Sequence, residues 1–181
     1  RKNKSAILGM VIFILLVIIA LISPMIYDYN TDIVTQNLRN RLQPPTSEHP
    51  LGTDAFGRDV FARIAYGARV SLLIGFIVVG ASLVIGGFIG AIAGYFGGIL
   101  DNVLMRIMDV FLAIPQILLA IAVVAALGPG ITNLIIALTI SMIPAYARLL
   151  RSLILPLKDA EYVEAAKASG TNTWKIIFGH L

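Results

Sequence analysis

The ionisable side chains that could carry chemistry form two short groups in the second half of the chain. Asp101, Arg106 and Asp109 make up the first group, and Glu164 and Lys167 belong to the second. Ionisable residues close to a membrane can line the path of a solute, or they can close the end of a helix. For the first group we favour an interfacial ion pair between Arg106 and Asp109, which are spaced i,i+3, and a helix-capping role for Asp101.

Neither a catalytic centre nor a metal site is predicted from the remaining residues. The chain has no cysteine, which excludes disulfides, cysteine-ligated zinc and a thiol nucleophile. His49 and His180 lie far apart in the sequence, and no spacing of Ser, His and Asp suggests a catalytic triad. There is no G-x-x-x-x-G-K-[ST] loop, so we expect this chain to bind no cofactor and no ATP of its own.

Two long uncharged blocks predict helices that cross a lipid membrane. The chain of 181 residues is 58% hydrophobic and only 13% charged, whereas soluble domains carry about 25% charged residues. Residues 70–100 and 110–147 contain no Asp, Glu, Lys or Arg, and about 20 apolar residues suffice to span a bilayer. An intramembrane enzyme would place ionisable groups within such blocks, so that class is disfavoured. A structural membrane assembly subunit is the other alternative.

We expect an all-α chain in three segments, residues 1–26, 27–69 and 70–181. The first is a positively charged cytoplasmic start followed by an apolar run. This run is long for a signal peptide and no small-x-small cleavage site follows it, so we interpret it as an uncleaved first span. The third is a core of three spans that ends in a cytoplasmic segment, residues 157–181.

The middle segment is polar and is predicted to lie outside the membrane. Its second half has the apolar spacing of an amphipathic helix on the membrane surface, which leads into the second span. Thr53 or Asp54 is the expected helix cap. Asp59 and Arg63 are spaced i,i+4 with the acid first, which favours an ion pair on a solvated face.

The core segment contains three further apolar runs. The second span covers roughly residues 70–93, and the third enters the membrane near residue 110 with Pro115 inside it, where proline kinks a helix. Residues 128–130 (Gly-Pro-Gly) break the chain before a fourth span at roughly 131–147. Small residues at every fourth position of the second span predict a close helix contact: Gly86, Gly90, Gly94 and Gly98.

The last segment predicts two short helices on the cytoplasmic membrane surface. Ala165 and Ala166 favour a helix and give it a slim face. Gly170 suits the left-handed position that ends a helix, and Thr171 or Asn172 can cap the next one.

The distribution of basic residues predicts the orientation. Of the 14 Lys and Arg, nine fall in segments assigned to the cytoplasm and five in residues 27–69. Cytoplasmic loops carry the excess of basic residues, so we expect a cytoplasmic N-terminus. The net charge of +4 does not indicate nucleic-acid binding, because the basic residues form no stripe with interleaved aromatic side chains.

A short motif near the end of the chain resembles the Glu-Ala-Ala-x-x-x-Gly signature of the membrane subunits of ABC-type importers. In that family the loop forms a coupling helix that docks into a groove of the ATPase subunit. The resemblance implies an ATPase-coupling role for four residues: Glu164, Ala165, Ala166 and Gly170. The family pattern continues with an apolar residue ten positions after the glycine, where this chain has His180.

Two longer stretches resemble the dipeptide, oligopeptide and nickel permeases of the same group. Residues 49–69 contain H-P-L-G-T-D, G-R-D and Y-G-A-R, and residues 93–115 contain A-G-Y-F-G-G, then D, M-R, D and A-I-P. The resemblance covers nearly the whole chain from His49 onward, and it fits the second of the two permease subunits in such systems best. Within the second stretch lie our candidates for pathway-lining or helix-end residues: Asp101, Arg106, Asp109 and Pro115.

The resemblance implies a type I ABC importer permease fold of six transmembrane helices, of which this chain contains four. It implies a bacterial or archaeal cytoplasmic membrane and import by alternating access. Implied partners are a second permease subunit, two ATP-binding cassette ATPase subunits that hold ATP and Mg²⁺, and an extracytoplasmic substrate-binding protein. The implied cargo is a di- or oligopeptide, with nickel or another small solute as the alternative.

Overall fold

The computed structural model describes residues 4–179, and this part of the chain is built from helices and connecting turns. The chain divides into two compact units, Arg1–Gly75 and Phe76–Leu181, and the second helix contributes residues to both. The α-helices in chain order are α1 Lys4–Ile26, α2 Val60–Phe96, α3 Gly98–Leu112, α4 Gln116–Leu127, α5 Ile131–Leu157, α6 Glu161–Ala168 and α7 Thr173–Gly179.

Three of these helices, α1, α2 and α5, are long and apolar enough to cross a membrane. A fourth crossing is possible if α3 and α4 count together, but they meet at an angle of 86°. The expectation of an all-α membrane chain is thus confirmed, and the four predicted spans are matched if the bent pair is counted as one span. The expected kinked third helix is wrong in its detail, since the helix stops at Leu112 and Pro115 directly precedes α4. A proline has no N–H to donate, which suits the first turn of a new helix.

The first unit contains α1, a polar loop and the beginning of α2. In the loop, the Asp28 carboxylate caps a π-helical turn, Tyr29–Val34, by accepting hydrogen bonds from two backbone N–H groups. The expected surface helix is not separate, because α2 begins at Val60 and continues unbroken into the apolar span. Its cap is Asp59, which accepts a 2.8 Å hydrogen bond from the Ala62 N–H, and not Thr53 or Asp54.

In the second unit, glycines bring the backbones of α2 and α5 into contact. A Cβ atom at Gly86 would lie 2.6 Å from the Ile143 carbonyl oxygen, and one at Gly90 would lie 2.2 Å from the Ala147 carbonyl oxygen. Neither position has room for a side chain. One turn earlier, the buried Ser82 hydroxyl donates a 3.2 Å hydrogen bond to a backbone carbonyl of α5. These small residues of α2 therefore form a stripe that faces α5.

The stripe ends at Gly94, whose Cβ would lie 3.1 Å from the Ile154 side chain. Gly98 has open space around it and is not part of the contact. Gly98 is instead the first residue of α3, at the connection between α2 and α3, where Gly97 and Gly98 have φ values of +64° and +60°. Gly97 is the N-cap of α3, so the expected helix-capping role of Asp101 is wrong.

The helix α5 extends to Leu157, well beyond the predicted end near residue 147. It tolerates Pro144 and Pro156 within its length. Because α5 is continuous, its last turns connect the apolar core with the short helices α6 and α7.

Candidate functional site

A short helix, a glycine turn and a second short helix form the candidate site at residues 161–179. α6 ends with two hydrogen bonds of the Schellman type: the Gly170 N–H donates to Lys167 O at 3.0 Å, and the Thr171 N–H donates to Ala166 O at 3.0 Å. Gly170 has φ +76°, a conformation that glycine adopts without the steric cost of a side chain. The turn therefore has a fixed geometry that depends on this glycine.

One face of α6 packs inward and the opposite face is open. Val163 is fully buried, and Ala166 is half-buried beside it. The expected Ala-Ala face is therefore wrong in part, since only Ala165 of the two alanines is exposed. The open face consists of four exposed residues: Glu161, Glu164, Ala165 and Ala168.

The second short helix, α7, anchors the pair to the transmembrane helices. The Asn172 side chain caps it by accepting a 2.9 Å hydrogen bond from the Trp174 N–H. Ile177 is buried against Ala91 of α2 and Ile154 of α5, and these residues form one hydrophobic cluster. Burial of a large aliphatic side chain is worth about 1.5–3 kcal/mol, so this contact holds α7 firmly in place.

Two aromatic contacts add to this anchor. The rings of Phe88 and Trp174 stack with centroids 6.2 Å apart and planes 3° apart. The Lys167 ammonium lies 5.6 Å from the centroid of the Tyr95 ring and donates a 3.2 Å hydrogen bond to Lys158 O. The open face of α6 thus belongs to a helix pair that these contacts hold against α2 and the end of α5.

The acidic candidates of α3 pair with arginines of α5. Arg151 donates two hydrogen bonds to the Asp101 carboxylate, Nε to Oδ1 at 2.5 Å and an η-nitrogen to Oδ2 at 2.6 Å. Arg148 donates one hydrogen bond to Asp109 at 2.6 Å. The predicted pair of Arg106 with Asp109 is therefore wrong. Among residues 4–179, Arg106 forms no salt bridge.

The sequence reasoning missed these partners because they lie far away along the chain. The two pairs join residues 50 and 39 positions apart, whereas our expectation considered only neighbours on one helix. One signal was available. Arg148 and Arg151 are spaced i,i+3 directly after the last predicted span, and a continuation of that helix would place both on one side.

The loop before α2 contains a second cluster of charges, centred on Asp54. Arg58 approaches this carboxylate to 2.8 Å and Arg63 to 2.6 Å. The expected ion pair between Asp59 and Arg63 is therefore wrong, and Asp59 lies 2.8 Å from His49 Nδ1 instead. Partial burial raises the pKa of Asp54. Hydrogen bonds from the Arg58 side chain and from backbone N–H groups outweigh this effect and lower the pKa to about 2.

Two glycines shape this loop. A Cβ atom at Gly52 would lie 2.3 Å from the Gln43 carbonyl oxygen, and one at Gly57 would clash with the backbone of Asn37. Within residues 4–179 no group of three or more His, Asp or Glu side chains could hold a metal ion. His180 lies outside the described residues.

Residues 86–181, more than half of the chain, match the family described as binding-protein-dependent transport system inner membrane component. The chain belongs to this family. Residues 1–45 match a second family, described as the N-terminal TM domain of oligopeptide transport permease C. The transport family's match contains α3 to α7 and hence both arginine pairs and the open face of α6.

Several curated relatives are similar over the whole chain. The dipeptide transport system permease protein of Alkalihalophilus pseudofirmus is 46% identical over 100% of this chain and 59% of its own length. The oligopeptide transport system permease protein of Bacillus subtilis is 39% identical over 100% of this chain and 59% of its own. The dipeptide permease of Bacillus subtilis is 39% identical over 98% and 55%, respectively. The chain thus spans a little more than half the length of these transport-family relatives.

Proposed function

We propose that this chain is the larger part of a permease subunit in an ATP-driven importer of peptides. The observation that carries the proposal is the position of α6: an exposed helix follows the last candidate span within the region that matches the transport family. Its polar open face suits contact with a soluble partner. The chain's role is transport, and we infer no enzymatic activity in it.

Peptides are the proposed cargo because the similar proteins are named for peptide transport. Their names specify dipeptides and oligopeptides, and that of a further relative, from Pectobacterium atrosepticum and 48% identical over 76% of this chain, specifies glutathione. All three are short peptides or closely related compounds. The alternative cargo, nickel, has no comparable support.

The proposed assembly follows from the same family. A second permease subunit completes the pathway, two ATPase subunits bind ATP and Mg²⁺, and a binding protein delivers peptide on the outer side. The proposed location is the bacterial or archaeal cytoplasmic membrane, with the N-terminus and α6 on the cytoplasmic side. The basic residues after α5 support this orientation, because such residues collect in cytoplasmic segments.

The proposed coupling role needs a helix that transmits force without deforming. α6 has eight residues and a fixed Schellman end. Val163 is fully buried, and Ile177 joins the helix pair to Ala91 of α2 and Ile154 of α5. A movement of the ATPase subunits that displaces the open face of α6 would therefore displace α7, and through it the cytoplasmic ends of α2 and α5.

This proposal predicts that Gly170→Pro uncouples ATP hydrolysis from uptake. Proline cannot adopt φ +76° and has no N–H for the bond to Lys167 O, so the turn between α6 and α7 cannot form. The measurement is peptide uptake and ATP hydrolysis by the full complex in proteoliposomes. We expect an assembled complex that hydrolyses ATP with uptake reduced by at least about tenfold, because proline cannot replace a glycine in the left-handed conformation and the turn that joins α6 to α7 is lost.

Gly179→Ala is the matched control. Gly179 is the last residue of α7, with open space around it and no positive φ. Its uptake is expected to equal that of the unsubstituted complex. Normal uptake by the Gly170→Pro complex would contradict the coupling role of α6.

A further inference from the structure

We propose that the ion pair between Asp101 and Arg151 makes the bent pair of α3 and α4 follow α5 when the α6–α7 segment moves. Asp101 and Arg151 are positioning residues in this proposal and need not touch the transported solute. The inference rests on the proposed transport function and adds the connection through which motion reaches the broken span.

The geometry of this pair restricts rotation as well as distance. The guanidinium fork of Arg151 meets both oxygens of the Asp101 carboxylate, at 2.5 and 2.6 Å. Two parallel hydrogen bonds of this kind fix the angle between the partners, which a single contact does not. Because α3 and α5 each carry one partner, the two helices cannot turn independently at this level.

The Asp101 side of this pair is also shielded from water. Asp101 is only 7% exposed although it is charged, and charged side chains are rarely buried unless they are paired. Without Arg151, the Asp101 carboxylate would be a buried charge without compensation. The connection is therefore difficult to open while the membrane helices move.

Arg151 lies where the other contacts of α5 converge. A Cβ at Gly90 would lie 3.0 Å from the Arg151 amide nitrogen, and one at Gly94 would lie 3.2 Å from its carbonyl oxygen, so α2 touches the backbone of this residue. One turn later, Ile154 belongs to the cluster that holds Ile177 of α7. These two successive turns of α5 thus contact α2, α3 and α7.

The pair of Asp109 and Arg148 provides an internal comparison. It joins the same two helices by the same chemistry, at 2.6 Å. Its side chains are about half exposed, at 49% for Asp109 and 57% for Arg148. Exposed pairs of this kind contribute little, and one hydrogen bond leaves the angle between the helices free.

The test compares Asp101→Asn with Arg148→Gln, which removes the exposed ion pair, in the full complex in proteoliposomes. Each sample is assayed for ATP hydrolysis and peptide uptake. For Asp101→Asn we expect a fall of about tenfold or more in peptide imported per ATP hydrolysed, whereas Arg148→Gln should stay within about twofold of the unsubstituted complex. Arg151→Lys keeps the charge but loses the fork, and we expect an intermediate loss.

A distance measurement separates coupling from stability. This stretch has no cysteine, so spin labels can be attached to cysteines introduced at the exposed positions Ile121 of α4 and Lys175 of α7. If α4 and α7 move together, the distance between the labels in the complex with the ion pair intact stays constant when the ATPase subunits bind ATP. The same distance should change on ATP binding when Asp101→Asn is added.

Each outcome decides the proposal. Coupling at the normal ratio in Asp101→Asn, or equal losses in Asp101→Asn and Arg148→Gln, would overturn it. If Asp101→Asn does not assemble, Arg151→Lys decides: an assembled Arg151→Lys complex with reduced uptake per ATP supports the proposal. Normal coupling or failed assembly of Arg151→Lys would assign the pair to folding alone. If the unsubstituted complex shows no ATP-driven uptake, the proposed function itself has failed.

Discussion

Single glycines decide how closely α2 approaches α5. At Gly86 and Gly90 the space for a side chain is occupied by backbone atoms of α5. Backbone atoms cannot move aside as the end of a flexible side chain can, so a methyl group there must push the helices apart. The sequence predicted this contact from the four-residue spacing, but it could not tell that the stripe ends before Gly98.

Gly90→Ala is therefore expected to destabilise the protein by about 1–3 kcal/mol, the usual cost of overpacking. The matched control is Gly87→Ala, because a Cβ at Gly87 would make only an ordinary contact of 3.6 Å with Leu150. This control should be neutral or slightly stabilising, since alanine favours a helix over glycine. The measurement is the free energy of unfolding in detergent. Equal stability of both variants would show that α2 and α5 do not approach this closely.

The loop before α2 and the short helices α6 and α7 show which features of a secondary-structure element can be predicted from its own sequence. The capped end of α6 at Gly170 follows from local sequence, because a glycine after a polar helical stretch is a local signal. The partners of Asp54 and Asp101 do not, since they depend on how distant segments pack. Apolar runs likewise predicted the spans, but the sharp break before α4 exceeded the kink expected from one proline.

The loop before α2 is expected to lose stability in acid. The pKa of Asp54 is about 2, below its ordinary value of 3.8. A carboxylate with a lowered pKa stabilises the folded loop fully above about pH 4, and this contribution is lost as the pH falls toward 2. Asp54→Asn should remove the contribution at neutral pH.

The measurement is the free energy of unfolding of the unsubstituted protein and of Asp54→Asn as a function of pH. The difference between them should be constant above about pH 4 and should shrink between pH 4 and pH 2. A difference that does not change over this interval would mean that the contacts of Asp54 with Arg58 and Arg63 are absent in solution.

For the whole molecule, the proposed function requires one orientation in the membrane. The loop that contains Asp54 would face outward, and the open face of α6 would face the ATPase subunits inside. The positions of the basic residues predict this arrangement. The remaining length of the similar permeases, about two fifths, lies beyond what this chain contains.

Labelling of single cysteines tests the orientation. Ala55→Cys, in the exposed part of the loop, should react with a membrane-impermeant thiol reagent in intact cells. Asp159→Cys, exposed between α5 and α6, should react only after the membrane is opened. The native stretch has no cysteine that would react in the background. The reverse pattern would contradict the proposed orientation.

The sharp bend between α3 and α4 also constrains the medium that surrounds it. Residues 113–115 connect two helices at 86°, and Ala113 and Ile114 are exposed in the chain as described. The first N–H groups of α4 have no helical partners, and hydrocarbon offers none. Acyl chains are thus unsuitable neighbours for this bend when α3 and α4 cross the bilayer. Hydration, or another polypeptide with its own hydrogen-bonding groups, must cover it.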